Sequence, residues 1–237
     1  MGPETAPDES PRHGYRGAGS AHPARPEIPA GLTIAVSREA GARGGTIGRR
    51  VGRKLGWQVY DQELLEYLIQ EGTAQQALVE GLTEQARAWV ESQLKGLLEG
   101  RRLEVNPPMV AFARLGLALG ASGQVVLIGR GAGFVLPRGT TLHVRLVAPY
   151  GDRVAYMSQC LRLTQEEARE RVRVRDALRA EYLASFLHRQ PSDLTEYDMV
   201  LNTSSLGEDL CTELVVQAAR AKGMVQFEAD EGGEPGA

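Results

Sequence analysis

Cysteine is nearly missing from this chain: Cys160 and Cys211 stand alone among 237 residues, with no Cys-x-x-Cys pair and no Cys/His cluster. That excludes a disulfide framework and a zinc site, and both thiols are expected to be small, buried core residues. Long apolar runs are missing as well. Nowhere do about eighteen apolar residues follow one another, and the first thirty residues hold nothing like the core of a signal peptide. Neither a membrane span nor secretion is expected, and the cytoplasm is the expected compartment. A strong charge of either sign is also lacking. The formal net charge is −3, which argues against a general binder of nucleic acid or of anionic membranes. No internal repeat stands out.

What is present is unevenly spread. Residues 1–30 carry six of the twelve prolines and few large apolar side chains. They bury too little surface to offset the entropy of ordering and are expected to form a disordered tail. Residues 224–237, acidic and glycine-rich, are expected to form a second. The two ends carry minus one and minus four, which leaves the stretch between them at plus two, compatible with an anionic ligand. One domain is expected over 31–223, and a hydrophobic content of 42% suffices for one full core.

Within that domain Thr33 to Val36 is an apolar strand, and Gly41, Gly44, Gly45 and Gly48 crowd the turn after it. Ile47, Val51 and Leu55 then recur at helical spacing. A strand, a glycine-rich turn and a helix start place backbone N–H groups around a phosphate. The lysine that a GxxxxGK(S/T) loop keeps for the β- and γ-phosphates is absent. Laid over that template, the first glycine falls on Arg38, the second on Arg43, the lysine on Gly44 and the hydroxyl residue on Gly45. Arg38 and Arg43 are expected to supply the missing charge, because a guanidinium grips phosphate bidentately and stays protonated. The alternative is an ordinary turn whose arginines sit in water.

Further along, Gln58 to Tyr60 is a short strand ending at Asp61, a candidate N-cap for an amphipathic helix over 62–70. Residues 74–120 read as a helical insertion broken at Asn106-Pro107-Pro108. Val125 to Ile128 is an unbroken apolar run, as in a parallel strand buried on both faces, and stops at Gly129-Arg130-Gly131. Leu142 to Val147 and Met199 to Leu201 are strands, separated by helices through Val154, Met157 and Leu161 and from the capping box Thr164/Glu167. A final helix is expected over 208–221. Alternation of strands and helices implies a parallel α/β sheet with ligands beyond its C-terminal strand ends, where the loop, Asp61 and Arg130 lie.

Arg171, Arg175 and Arg179 repeat every four residues and share one stripe of the helix after Thr164, beside an apolar stripe of Val172, Leu178, Tyr182 and Phe186. Two roles are open to them. They pair with carboxylates, Glu167 with Arg171 and Asp176 with Arg179 or Arg173, or they close over phosphates held by the glycine loop.

These blocks together resemble the cytidylate kinase-like family, relatives of bacterial cytidylate kinase within the P-loop nucleoside monophosphate kinases. The likeness rests on Ile34-Ala35-Val36-Ser37-Arg38-Glu39 with Gly44-Gly45, Tyr60-Asp61-Gln62-Glu63-Leu64, Ile128-Gly129-Arg130-Gly131-Ala132, Arg175-Asp176 with Arg179, and Tyr197 to Ser204. It implies a P-loop kinase-like parallel sheet flanked by helices, a helical acceptor-binding insertion over 74–120 and an arginine-bearing lid over 162–190. It also implies ATP and magnesium, and transfer of the γ-phosphoryl group to CMP or dCMP. By carry-over Ser37, Arg38, Gly41, Arg43, Gly44, Gly45 and Thr46 hold the donor nucleotide, Thr46 offering a hydroxyl on the magnesium side. Asp61, Arg130 and Asp176 face the acceptor, and Arg171, Arg175 and Arg179 close catalytically on the phosphates. Two departures stand out: the absent lysine, and Gly131 where cytidylate kinase has an aspartate. They keep a rival reading open, a nucleotide-binding sensor or interaction module with poor turnover. The partners implied are nucleotides, without nucleic acid or membrane.

Overall fold

The computed structural model describes residues 31–231, the last eight as backbone alone. The chain opens with β1 (Thr33–Arg38), α1 (Gly44–Leu55) and β2 (Gln58–Tyr60). Four helices follow, α2 (Gln62–Gln70), α3 (Gly72–Glu80), α4 (Glu84–Glu99) and α5 (Pro107–Ser122), then β3 (Val125–Ile128) and the single turn α6 (Ala132–Val135). The remainder is β4 (Thr141–Val147), α7 (Tyr150–Leu161), α8 (Gln165–Leu187), β5 (Met199–Asn202) and α9 (Thr203–Glu231). Among the described residues the strands make one parallel sheet in the order β2-β3-β1-β4-β5.

The sheet is covered on both sides, which explains strands that are apolar without alternation. Ile34, Val36, Val126 and Ile128 face one cluster with Ile47 and Val51 of α1 and Cys211 and Val215 of α9. Ala35, Val125 and Leu127 face the other, with Phe112, Leu115 and Leu119 of α5. Helix α1 lies very close to the sheet. A Cβ on Gly48 would stand 2.5 Å from Ile128 Cδ1, and one on Gly52 2.2 Å from Val59 Cγ2. Burial of this kind contributes about 25 cal/mol per Å² of apolar surface.

The break expected at Asn106-Pro107-Pro108 is the start of a helix. Asn106 Oδ1 accepts the Met109 N–H at 2.9 Å, and the prolines fill first-turn positions whose N–H groups have no intrahelical partner anyway. The insertion is thus three helices, α3 to α5. Helix α8 begins at the expected capping box, Thr164 with Glu167. It packs on α7 through Val154, Met157, Ala168 and Val172, with Ala40 of the glycine loop in the same cluster. In α9 the backbone leaves helical geometry at Gly207 (φ 73°, ψ 170°), so the regular helix starts next to it, where the spacing places it. The expected tails lie outside the described residues, apart from the backbone of α9 as far as Glu231. Cys211 is buried as expected, but Cys160 is exposed, because the last turn of α7 places it on the open wall of a cavity. Among the described residues no helix is long and apolar enough to cross a membrane.

His143, central in β4, is buried at 4% exposure against Phe134 and Tyr197. Its Nδ1 lies 2.9 Å from the Glu196 carbonyl, which only accepts, so Nδ1 carries the proton and Nε2 accepts from the Ser37 hydroxyl at 3.0 Å. Burial pushes its pKa from 6.5 down to about 4. Between those two values the unfolded chain binds a proton that the folded one refuses. Stability is therefore complete above about pH 6.5 and declines on acidification toward pH 4, by about 3 kcal/mol. Replacing His143 by Gln should flatten that part of the stability–pH curve, measured by urea denaturation from pH 4 to 7. An unchanged slope would show that other groups set it.

Candidate functional site

Beyond the C-terminal ends of β1, β3 and β4 lies a cavity of about 980 Å³, a size that suits small-molecule and nucleotide ligands. It gathers almost all the candidate residues. Ser37, Arg38, Gly41, Arg43, Gly44, Gly45 and Thr46 line it, with Asp61, Arg130, Arg175, Asp176 and Arg179. Arg171 does not. It is exposed, one turn before Arg175, so only part of the arginine stripe reaches the cavity. Of the stripe's expected ion pairs, Asp176 with Arg179 is present at 3.7 Å and Glu167 with Arg171 is not. Glu167 is taken by the cap at Thr164, and Arg169 and Arg173 pair with Glu166 and Glu170 three residues earlier.

Arg38 ends β1, and two glycines clear its path. A Cβ on Gly44 would lie 2.6 Å from Arg38 Cβ, and one on Gly129 only 1.8 Å from Arg38 Nη1. Among the described residues no carboxylate pairs with it within 4.0 Å. Burial, then the nearby Arg179, lower its pKa to about 10, with Asp61 opposing. Arg43 is differently placed. It starts α1 in left-handed geometry (φ 56°), lies 5.0 Å above the Tyr156 ring and 3.8 Å from Glu208. Its charge is thus partly answered within the protein.

Besides the packing of Ala40 on Ala168 and Val172, helix α8 is hydrogen-bonded to the loop through Asp176. Asp176 Oδ1 accepts the Ala40 N–H at 2.7 Å, and its Oδ2 accepts from Arg153 Nη1 at 2.5 Å. The same Arg153 donates to the carbonyls of Ala40 and Ala148 and lies 3.3 Å from Glu39 Oε2. Asp176, expected to face the acceptor, is therefore engaged by the loop and by α7. One turn on, Arg179 Nη1 is buried with no hydrogen-bond partner and only a 3.7 Å ion pair to Asp176. Burial lowers its pKa, and Arg175, Arg145 and Arg153 push the same way.

Sequence reasoning missed Arg145, Arg153, Glu39 and Glu66. Arg145 projects from β4 into the cavity with 12% of its side chain exposed. It is 3.9 Å from Glu39 and 5.4 Å from the Tyr197 ring centre. A full charge within the largely apolar β4, which also holds Thr141 and His143, was the available signal for it. Glu39 closed the Ile34–Glu39 block without a role assigned to it, and Arg153 and Glu66 had no signal. Arg38, Arg145, Arg153, Arg175 and Arg179 outnumber Glu39 and Asp176 here, an excess that a polyanion neutralises.

At the other end Asp61 caps α2, accepting the Leu64 N–H at 3.1 Å, and lies 3.6 Å from Arg49. Arg130 sits in left-handed geometry (φ 55°), pairs with Glu66 at 2.7 Å and lies 5.2 Å from the Tyr182 ring centre. Its buried Nε has no partner. Gly131 leaves no room for a side chain, since a Cβ there would stand 2.4 Å from Leu187 Cδ1 and 2.9 Å from Leu183 Cδ2. Leucines of α8 fill the space into which a larger residue would project. Among the described residues no three His, Cys, Asp or Glu side chains cluster as a metal cage. Thr46 and Tyr156 both line the cavity. Such a site fits a magnesium ion carried on nucleotide phosphates rather than one resident in the protein.

The sequence pattern of the cytidylate kinase-like family matches residues 33–205. Among solved structures, an uncharacterized protein from Eubacterium ventriosum is similar over 80% of this chain and 98% of its own, with a TM-score of 0.56 and 14% identity. A shikimate kinase from Bacteroides thetaiotaomicron aligns over 82% of this chain and 98% of its own at 16% identity, with a TM-score of 0.44. A stretch of 98 residues is 32% identical to a uronate isomerase of Corynebacterium glutamicum. It covers 41% of this chain and 19% of that protein, so the match concerns one segment.

Proposed function

The chain belongs to the cytidylate kinase-like family, and from that premise we propose that it moves the γ-phosphoryl group of ATP, with magnesium, to a pyrimidine nucleoside monophosphate, CMP or dCMP. The observation that carries this is the excess positive charge where loop and helix α8 meet, above all Arg179, whose buried Nη1 has no hydrogen bond and only a 3.7 Å ion pair to Asp176. A buried donor left without a hydrogen bond is costly, and it persists where a ligand completes it.

In this reading the N–H groups of Gly44 to Thr46 and the guanidinium of Arg38 hold the donor phosphates, Arg38 doing the work of the absent lysine. Arg130 grips the acceptor phosphate, and Glu66 fixes its guanidinium. An acceptor oxygen, already anionic, forms the new P–O bond in line as the bond to the leaving diphosphate breaks, so no strong base is required. Arg175, Arg179 and Arg145 neutralise charge that spreads over the transferred group. Magnesium, when bound, screens the β- and γ-oxygens.

The rival reading is a nucleotide-binding protein with poor turnover. One observation favours it: the Ala40 N–H, part of the glycine loop, is already spent on Asp176. The full chain incubated with ATP, magnesium and a panel of nucleoside monophosphates separates the two. ADP formation dependent on CMP or dCMP supports the kinase. Tight nucleotide binding with no ADP formed supports the rival, and turnover only with another acceptor class overturns the acceptor named here. The loop residues can be ranked as well. Arg38→Ala should weaken ATP binding about 30-fold and Arg43→Ala by only a few-fold, because Glu208 already answers Arg43. Equal effects, measured by calorimetry, would remove Arg38 from its special place.

A further inference from the structure

Ser37 lines the cavity from the C-terminal end of β1, half-buried, and its hydroxyl belongs to a chain of three groups. Its hydrogen is directed to His143 Nε2 at 3.0 Å, and the Nδ1–H of His143 is held by the Glu196 carbonyl at 2.9 Å. The imidazole has room for this because α6 carries a glycine: a Cβ on Gly133 would stand 2.3 Å from His143 Cδ2. Phe134 and Tyr197 pack against the ring and fix it. A hydroxyl, the imidazole it donates to and a third group that orients the imidazole form the arrangement that makes a serine nucleophilic.

The direction of that hydrogen matters in a cavity rich in arginine. A hydroxyl that holds a phosphate donates to one of its oxygens. Ser37 gives its hydrogen to His143 instead, so it offers the cavity lone pairs, which repel phosphate oxygens and suit attack on phosphorus. Arg145 is its register partner on β4 and Arg38 follows it in the chain, and both line the cavity. A phosphoryl group attached to this oxygen would meet their charge.

We infer that Ser37 is itself a phosphoryl acceptor: the protein transfers the γ-phosphoryl group of a bound nucleoside triphosphate to its own serine. Ser37 Oγ forms a bond to the γ-phosphorus, the bond from that phosphorus to the bridging oxygen of the diphosphate breaks, and the hydroxyl proton crosses to His143 Nε2. The proton does not rest there. Burial disfavours the imidazolium, whose pKa is lowered to about 4, so the proton passes to the new phosphate, whose second pKa is about 6. A base so weak makes the transfer slow. The inference rests on the donor site proposed above and adds an acceptor within the protein.

The test is intact-mass spectrometry of the full chain, first treated with phosphatase and then incubated with ATP and magnesium. The wild type should gain about 80 Da over hours. Fragmentation should place the gain on Ser37, and the rate per molecule should not depend on protein concentration. Ser37→Ala, shown to be folded by its urea transition, should gain nothing. His143→Gln should slow the gain by about tenfold or more while binding ADP normally by calorimetry. No gain in a wild-type chain that binds ADP overturns the inference, as does a gain at another residue, one that persists in Ser37→Ala, a rate that rises with protein concentration, or equal rates in wild type and His143→Gln. A wild-type chain that binds no ADP is a different result, and it removes the proposed donor site itself.

Discussion

Arg153→Met should destabilise the protein by about 3–5 kcal/mol, enough to bring most mesophile domains of this size close to unfolding. Arg153 is 8% exposed and ties four things together: the carbonyls of Ala40 and Ala148, Glu39, and Asp176 of α8. Methionine fills much of the same volume, so packing is largely kept. What is lost is the partner of two half-buried carboxylates, which is the costly way to break an ion pair. Urea denaturation at pH 7 measures the effect. Asp176→Asn should cost less, because the amide oxygen still accepts the Ala40 N–H. In the double variant the two losses should add to less than their sum, since each removes half of one contact. A loss below 1 kcal/mol for Arg153→Met would mean that the apolar contacts of α7 and α8 hold the loop without it.

Arg179→Met should behave in the opposite sense: phosphoryl transfer falls by roughly 100- to 1,000-fold, while the urea midpoint stays level or rises. The physical reason is the burial of Arg179 among Arg38, Arg145, Arg153 and Arg175, which disfavours its charge in the folded protein, and Asp176 at 3.7 Å answers only part of it. Removing the charge relieves that repulsion when no ligand is present. It also removes the donor best placed to meet charge developing on a transferred phosphate. Arg179→Lys keeps the charge and loses the planar fork, so it should recover only a small part of the rate. Lower stability together with unchanged turnover would reassign Arg179 to the scaffold. Steady-state kinetics and urea melts on the same preparations distinguish the outcomes.

Much of this architecture was legible in the chain. Val125 to Ile128 has no alternation because α1 and α9 cover one face of the sheet and α5 the other, and that pattern is local in sequence. The cap at Thr164 and the glycines of the loop are likewise short-range signals. The arginine stripe was legible only in part. Spacing shows that Arg171, Arg175 and Arg179 share a face, but not where along α8 the cavity ends, and it ends short of Arg171. Asp176 shows the limit most clearly. Its partners, Ala40 and Arg153, lie 136 and 23 residues away in the chain, and no periodicity encodes such a meeting. Gly131 looks like a simple loss of a side chain, whereas Leu183 and Leu187 occupy the space beside it.

The contact of Asp176 with Ala40 and Arg153 also bears on how this protein can be recombined. A chimera that imports residues 165–187 from a relative lacking an aspartate at 176 would take from Arg153 one of its two carboxylate partners and leave a loop amide unbonded. The helix would then arrive as a burden however well its leucines fitted. Transplants across this family should therefore treat positions 40, 153 and 176 as one heritable unit, exchanged together or left in place.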